Sequence, residues 1–252
     1  MAKTSRPPYT TLGRESMLLV LTLSAGSVDA LSYLGLGHVF TAMMTGNIVL
    51  LGLALAQGEV LAALRSIVAL LGFAIGVFVG AIVVERESEP AEWPAAVTGA
   101  LAFETVLLGI FAGTSWVIGT RSGVIYVLII LLALAMGIQS AAVRRLGVPG
   151  IATTYLTGTL TSLMVDLLGW LRSVAAQLPV AKSSEKSSVG RIPWDQRVGL
   201  LAAVITLYCF GALAGGILQV HTSSAFASLL PLATMLLVVV NAVIRQRQRQ
   251  GT

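Results

Sequence analysis

Apolar residues along this chain fall into long blocks, which short charged or Gly/Pro-containing stretches separate. A helix needs roughly 20 mostly apolar residues to cross a bilayer, so this pattern predicts membrane-spanning helices. At that length the chain contains eight candidate spans. They cover residues 15–36, 39–57, 60–84, 95–117, 122–143, 151–171, 197–219 and 223–244.

The second and sixth candidate spans carry Thr-Gly and other polar residues in their first halves. Irregular backbone is tolerated at membrane depth only where protein or a water-filled cavity surrounds it. These two segments therefore either cross as full helices or are broken or re-entrant. The predicted fold class is an all-α polytopic transmembrane bundle of about eight helices, and its alternative is six full spans plus two re-entrant or broken segments.

Composition and charge agree with a membrane location. The chain is 56% hydrophobic and 11% charged, whereas a soluble domain carries about a quarter charged residues. Cytoplasmic loops collect Lys and Arg, and eight spans with the N-terminus inside place 13 of the 16 basic residues on that side. The exceptions are Arg86, Arg144 and Arg145. The basic residues lie at block edges rather than on one face, so we expect no nucleic-acid partner.

An internal repeat appears when the chain is compared with itself at a shift of 112 residues. Thr45-Gly46 then falls on Thr157-Gly158, and one residue of slippage places Gly26 on Gly137. The predicted organisation is a cytoplasmic tail (1–14), repeat 1 (15–117), repeat 2 (118–245) with a polar cytoplasmic loop at 179–193, and a basic cytoplasmic tail (246–252). Four spans per copy make the repeats parallel, and three make them inverted.

Several strings resemble the bacterial YoaK family, also called the DUF1275 family. They are Gly26-Ser-Val-Asp-Ala, Phe40-Thr-Ala-Met-Met-Thr-Gly-Asn-Ile, Met136-Gly-Ile-Gln-Ser-Ala, Arg144-Arg145 and Thr153-Thr-Tyr-Leu-Thr-Gly-Thr-Leu. The resemblance covers residues 15–245 and implies a protein of the bacterial cytoplasmic membrane with no settled activity. Where the family often carries Gln-Asn, this chain has Gln139-Ser140.

Polar side chains at membrane depth are costly, so they are candidates for function. Asp29 in the first span is either an ion- or substrate-binding group or a buried hydrogen-bonding group between helices. Arg144 and Arg145 either reach the lipid headgroups or turn inward to pair with Asp29 or an anionic substrate. Gln139 and Glu104 rank behind these.

The two Thr-Gly elements place hydroxyl groups and flexible backbone at equivalent positions of two spans. Broken helices of this kind expose backbone to ligand in transporters, and the alternative is local hydrogen bonding and close packing. The candidate binding residues are Thr45, Gly46, Asn47, Thr157, Gly158 and Thr159.

Glycines one turn apart in the third and seventh spans predict close helix packing, since small residues let helix backbones approach in lipid. They are Gly72, Gly76, Gly80, Gly211 and Gly215. The same ladder could serve a homodimer.

The predicted function is a small secondary transporter or permease-like protein for a small-molecule or ion substrate, with its path between the two repeats. The alternative is a membrane scaffold or sensor that transports nothing. The chain has no nucleophile, phosphate-loop or dinucleotide motif, and His38 and His221 lack neighbours at metal-ligand spacing. We therefore expect no enzyme activity, no cofactor and no metal site, and contact with the lipid bilayer.

Overall fold

The computed structural model describes residues 13–85, 93–120, 123–147, 156–177 and 194–250. Within these ranges the regular structure is helical, as predicted. The helices are α1 (Arg14–Gly35), α2 (Met44–Gln57), α3 (Val60–Glu85), α4 (Ala95–Ile118), α5 (Ile125–Leu146), α6 (Leu156–Gln177), α7 (Trp194–His221), α8 (Ser224–Ala227) and α9 (Leu229–Gln250).

Six of the described helices are long and apolar enough to cross a membrane, namely α1, α3, α4, α5, α7 and the α8–α9 unit. The apolar parts of the other two are shorter, Met44–Gln57 in α2 and Leu156–Gly169 in α6. A helix of 14 residues is about 21 Å long, less than the roughly 30 Å of bilayer hydrocarbon. Of the two predicted arrangements, the length of α2 favours six full spans plus re-entrant or broken segments. The whole of α6 has 22 residues, so its length does not discriminate between them.

The outer surface of the bundle is apolar. Large hydrophobic side chains face outward on α3, α4, α7 and α9, and Phe78 and Phe210 are 68% and 58% exposed. The interior also holds polar side chains, among them Asp29, Asn47 and Gln139. A chain that is apolar outside and polar at selected interior positions is suited to lipid contact.

Two helix pairs, α1 with α7 and α3 with α5, pack closely through glycine. A methyl group at Gly76 would overlap the carbonyl oxygen of Leu134 on α5, and one at Gly211 would overlap that of Leu23 on α1. Contacts advance in the same direction along both helices of each pair, since Gly80 lies against Ile138 on α5 and Gly215 lies against Ser27 on α1. Both pairs are therefore parallel.

The glycines of α1 and α5 face their partners in the same way. A methyl group at Gly26 would overlap the carbonyl oxygen of Tyr208, and one at Gly137 would overlap that of Phe73. The two glycines differ by 111 in residue number, Gly26 on α1 and Gly137 on α5, and their two partners differ by 135, Phe73 on α3 and Tyr208 on α7. The α1–α7 and α3–α5 pairs thus share one packing register.

Helix directions place one set of ends on a common side. The start of α4 meets the end of α9, because Gln246 donates a 2.7 Å hydrogen bond to the hydroxyl of Thr98. Gln139 donates to the Leu21 carbonyl at 3.2 Å, and these residues lie seven positions from the end of α5 and the start of α1. The starts of α1, α4 and α7 and the ends of α3, α5 and α9 therefore share one side of the bundle.

Candidate functional site

The Asp29 carboxylate lies at the centre of a buried hydrogen-bond cluster between α1, α7 and the loop 36–43. Its Oδ1 atom accepts the backbone N–H groups of Thr41 at 2.9 Å and Ala42 at 2.7 Å. The more distant N–H of Met43 lies at 3.4 Å. Its Oδ2 atom accepts the hydroxyl of Tyr208 on α7 at 2.5 Å. Only 2% of Asp29 is exposed.

The loop 36–43 turns back into the bundle after α1 ends. Gly37 and His38 have positive φ angles of 84° and 61°, a conformation that glycine adopts without steric cost and other residues rarely adopt. Tyr33 packs edge-on against the His38 ring and stacks on Phe40 at a centroid distance of 4.9 Å. These rings hold the returning chain against the end of α1.

Asn47 fastens the first turn of α2 to the same loop. Its Oδ1 accepts the N–H of Phe40 at 2.9 Å, and its Nδ2 donates to the Phe40 carbonyl at 2.6 Å. The first N–H groups of a helix have no partner within the helix. Here Asp29 and Asn47 accept hydrogen bonds from the N–H groups of the residues that precede α2. The start of α2 therefore lies beside Asp29, six residues before the end of α1, or about 9 Å deep.

The far end of α2 returns to the side on which α1 ends. Arg65, in the second turn of α3, donates to the Gly37 carbonyl at 3.4 Å. A cavity of about 260 Å³ lies between α2, α3 and the loop, and Gly37, His38, Gln57 and Arg65 are among its lining residues. Because α1 ends and α3 begins on this side, α2 has the geometry of a re-entrant helix.

The two Thr-Gly elements occupy matching positions in their helices. Thr45 and Thr157 are exposed, whereas Asn47 and Thr159 are buried. A methyl group at Gly46 would press on the Phe40 ring. Of the predicted residues in the first element, Asn47 thus joins the Asp29 cluster and Thr45 does not. The chain that precedes α6, including Thr153, lies outside the described residues.

Arg144 and Arg145 lie away from Asp29, in the last turn of α5. With Glu85 they line a cavity of about 570 Å³ between the ends of α3 and α5. Gln139 is buried and links α5 to α1. The predicted alternative in which an arginine turns inward to Asp29 is not the arrangement observed, because Tyr208 and the loop bind that carboxylate.

Two buried acidic side chains in other helices have contrasting surroundings. Asp166 of α6 forms a 2.7 Å ion pair with Arg197 near the start of α7. Glu104 of α4 is fully buried, and neither of its carboxylate oxygens has a hydrogen-bond partner among the described residues.

Sequence reasoning missed Tyr208 and ranked Glu104 low. Tyr208 lies 179 residues from Asp29, and a tyrosine in an apolar span carries no signal of its partner. A weak signal does exist, since Tyr208 lies one turn before the close-packing Gly211. Glu104 was detectable as a carboxyl group near the middle of an apolar span.

Six long apolar helices, a lipid-suited exterior and sealed polar groups define a polytopic helical membrane protein. The chain belongs to the family described as "Protein of unknown function (DUF1275)", whose profile matches residues 17–242. It is 43% identical over 201 residues to "UPF0700 transmembrane protein YoaK" of Bacillus subtilis (strain 168), an alignment covering 79% of this chain and 81% of that protein. No solved structure matches the chain. The family resemblance drawn from the motifs is confirmed.

Proposed function

We propose that this protein is a small secondary transporter or permease-like protein for a small solute, with its polar site at Asp29. The observation that carries the proposal is the position of the loop 36–43. That loop borders a partly polar cavity through Gly37 and His38 and contacts Asp29 through Thr41 and Ala42. A movement of this one loop would open Asp29 to the cavity.

The cluster also joins the two proposed repeats, since Asp29 belongs to the first and Tyr208 to the second. The matched registers of the α1–α7 and α3–α5 pairs support a duplicated chain. With α2 and α6 re-entrant, each copy has three full spans, so the two copies are inverted. Transporters of this design place substrate near the interface of the repeats, beside broken helices.

The distribution of basic residues supports this topology, in which both termini are proposed to lie in the cytoplasm of a bacterial cell. Cytoplasmic helix ends collect Lys and Arg. Among the described basic residues, Arg65 lies near the side opposite the proposed cytoplasmic side. The cytoplasmic group is Arg14, Arg144, Arg145, Arg172, Arg197, Arg245, Arg247 and Arg249. Re-entrant helices thus bring Arg144 and Arg145 inside, which eight full spans would leave outside.

Flux from reconstituted vesicles tests the proposal. Liposomes that contain the full chain are loaded with a defined mixture of amino acids, sugars, nucleobases and carboxylic acids, and mass spectrometry follows release. We expect at least one compound to leave faster than from protein-free liposomes, and Asp29→Asn to slow it. Ser140→Ala, at the position equivalent to Asp29 in the second repeat, serves as the control. Release equal to that of protein-free liposomes would contradict the proposal.

A membrane scaffold or sensor is the second candidate function, and one observation favours it. Asp29 is 2% exposed and both of its oxygens hold partners, as expected of a purely structural group. A cysteine at Ala42, beside Asp29, separates the two functions through a water-soluble thiol reagent. Labelling at Ala42→Cys supports the transporter. Labelling only at the exposed control Glu59→Cys supports the scaffold.

A further inference from the structure

Glu104 is the buried carboxyl group that the Asp29 cluster does not use. It lies in α4, nine residues from the start of that helix at Ala95, or about 13 Å into the bundle. It is fully buried, and neither oxygen has a hydrogen-bond partner among the described residues. A buried polar group without a partner is rare and requires an explanation.

The positions that flank Glu104 on its own helix are apolar. The residues one turn before and after it on α4 are buried and carry no polar side-chain atom, and they are Ala100, Leu101, Leu107 and Leu108. Gln139 on α5 lies at the same depth, because Glu104 is fourteen residues before the end of α4 and Gln139 fourteen after the start of α5. The Gln139 side chain donates to the Leu21 carbonyl on α1.

The ionisable groups on the helices packed against α4 lie near the ends of those helices. These helices are α3, α5, α8 and α9. Their titratable or charged residues are Arg65, Glu85, Tyr126, Arg144, Arg145, Arg245, Arg247 and Arg249. No cation on a described neighbouring helix is therefore placed at the depth of Glu104 to balance an ionised carboxylate.

A bare carboxylate in such surroundings is strongly unfavourable, whereas the protonated acid is neutral. A bound metal cation would also cancel the charge, but it needs several oxygen ligands, and the flanking side chains carry none. The proton is the ligand that fits a single carboxyl group in an apolar core.

We propose that Glu104 is a proton-binding site, which holds its proton while it is sealed in the core and exchanges it in a conformation that admits water. The step is the reversible reaction of the carboxylate with one proton to give the carboxylic acid, and it needs no other reactant. The inference rests on the proposed transport function in one respect, since it makes the proton the coupling ion.

Infrared spectroscopy of the full chain in lipid vesicles at neutral pH tests the site. The C=O stretch of a protonated carboxyl group is separate from the bands of a carboxylate, and it shifts when deuterium replaces the proton. We expect this band in the wild type and in the controls Asp29→Asn and Glu59→Gln, and its loss in the isosteric Glu104→Gln. We also expect the wild-type band to shift after transfer to heavy water.

Two results would overturn the proposal. If Glu104→Gln and the wild type give the same carboxyl bands, Glu104 is ionised and holds no proton. If the band is lost in Glu104→Gln but does not shift in heavy water, the proton never exchanges and the acid is only structural. The wild-type measurement keeps the test informative even if Glu104→Gln fails to fold, because absence of any exchangeable carboxyl band decides against the site.

A flux measurement separates this inference from the proposed function. If an imposed pH gradient accelerates solute release in the wild type but not in Glu104→Gln, the proton is the coupling ion. If release occurs at the same rate with and without the gradient in both the wild type and Glu104→Gln, transport stands and coupling through Glu104 is wrong. If no solute moves, transport fails, while the infrared result still decides whether Glu104 binds an exchangeable proton.

Discussion

Both oxygens of Asp29 bind groups from different parts of the chain, so we expect its replacement to loosen the loop 36–43 and α7 together. Asp29→Asn exchanges one acceptor oxygen for an N–H donor that faces either backbone N–H groups or the Tyr208 hydroxyl. A buried group left without a partner costs about 1–3 kcal/mol. We expect Asp29→Asn to lower the thermal unfolding midpoint in detergent, and Asp29→Ala to lower it at least as much.

A double-mutant cycle with Tyr208→Phe isolates the bond between the two helices. Residues that share a hydrogen bond have non-additive effects, so Tyr208→Phe should cost little more once Asp29 is already Asn. Strictly additive losses would show that the hydroxyl and the carboxylate are not coupled. Ser140→Ala is the matched control, because the Ser140 hydroxyl donates to the Met136 carbonyl one turn earlier on its own helix.

Asn47 gives a second prediction at the scale of single residues. Asn47→Ala removes the two hydrogen bonds to the Phe40 backbone, so we expect a loss of about 1–3 kcal/mol and faster thiol labelling of Ala42→Cys. Thr45→Ala, two residues away and exposed, should change stability by less than about 0.5 kcal/mol. Equal effects of the two variants would mean that Asn47 does not hold the loop.

The centre of the site could be predicted from the sequence, but its partners could not. A carboxyl group in an apolar span identifies Asp29 on physical grounds alone. Its loop partners are backbone N–H groups, which every residue except proline carries, so no residue type marks them. Tyr208 comes from a distant helix, and only the packing of α1 on α7 brings it near.

At the scale of helices, glycine packing gives a prediction with a built-in control. Alanine at Gly76 or Gly211 would force a methyl group onto a backbone carbonyl oxygen of the partner helix, and backbone cannot move as a side chain can. Overpacking of this kind costs about 1–3 kcal/mol. Gly109→Ala should be neutral or stabilising, because nothing lies within 4 Å of its added methyl group. Unfolding midpoints of the three variants in one detergent make the comparison.

Most helix positions followed from the apolar blocks to within several residues, but α2 begins later than predicted, and the last predicted span, 223–244, is divided into α8 and α9. The predicted second span starts at residue 39, whereas α2 begins at Met44. The intervening chain is apolar because Val39 and Ala42 are buried in the bundle as loop residues. Hydropathy reports burial, and it cannot distinguish a buried loop from the first turn of a helix. Hydrogen bonds that this backbone donates to Asp29 and exchanges with Asn47 make it tolerable at depth.

At the scale of the whole molecule, whether α2 and α6 cross the membrane determines on which side the following helices begin and end. A full second span would put the α2–α3 turn in the cytoplasm, and a re-entrant α2 puts it outside. By the same reasoning, a full second span would leave the end of α5 outside, and a re-entrant α2 puts it in the cytoplasm. The proposed repeat rests on self-comparison of the sequence. Its orientation depends on whether two segments cross the membrane, and apolar length alone did not decide that.

Cysteine labelling in intact cells decides between the two topologies. Cys209 is the only cysteine in the chain, so Cys209→Ser gives a background without thiols. We expect a membrane-impermeant thiol reagent to label Glu59→Cys in intact cells and Arg144→Cys only after the cells are opened, because both side chains are exposed and the re-entrant topology puts them on opposite sides. Eight full spans require the reverse pattern at both positions, so that result would remove the inverted repeat and the cytoplasmic assignment of Arg144 together.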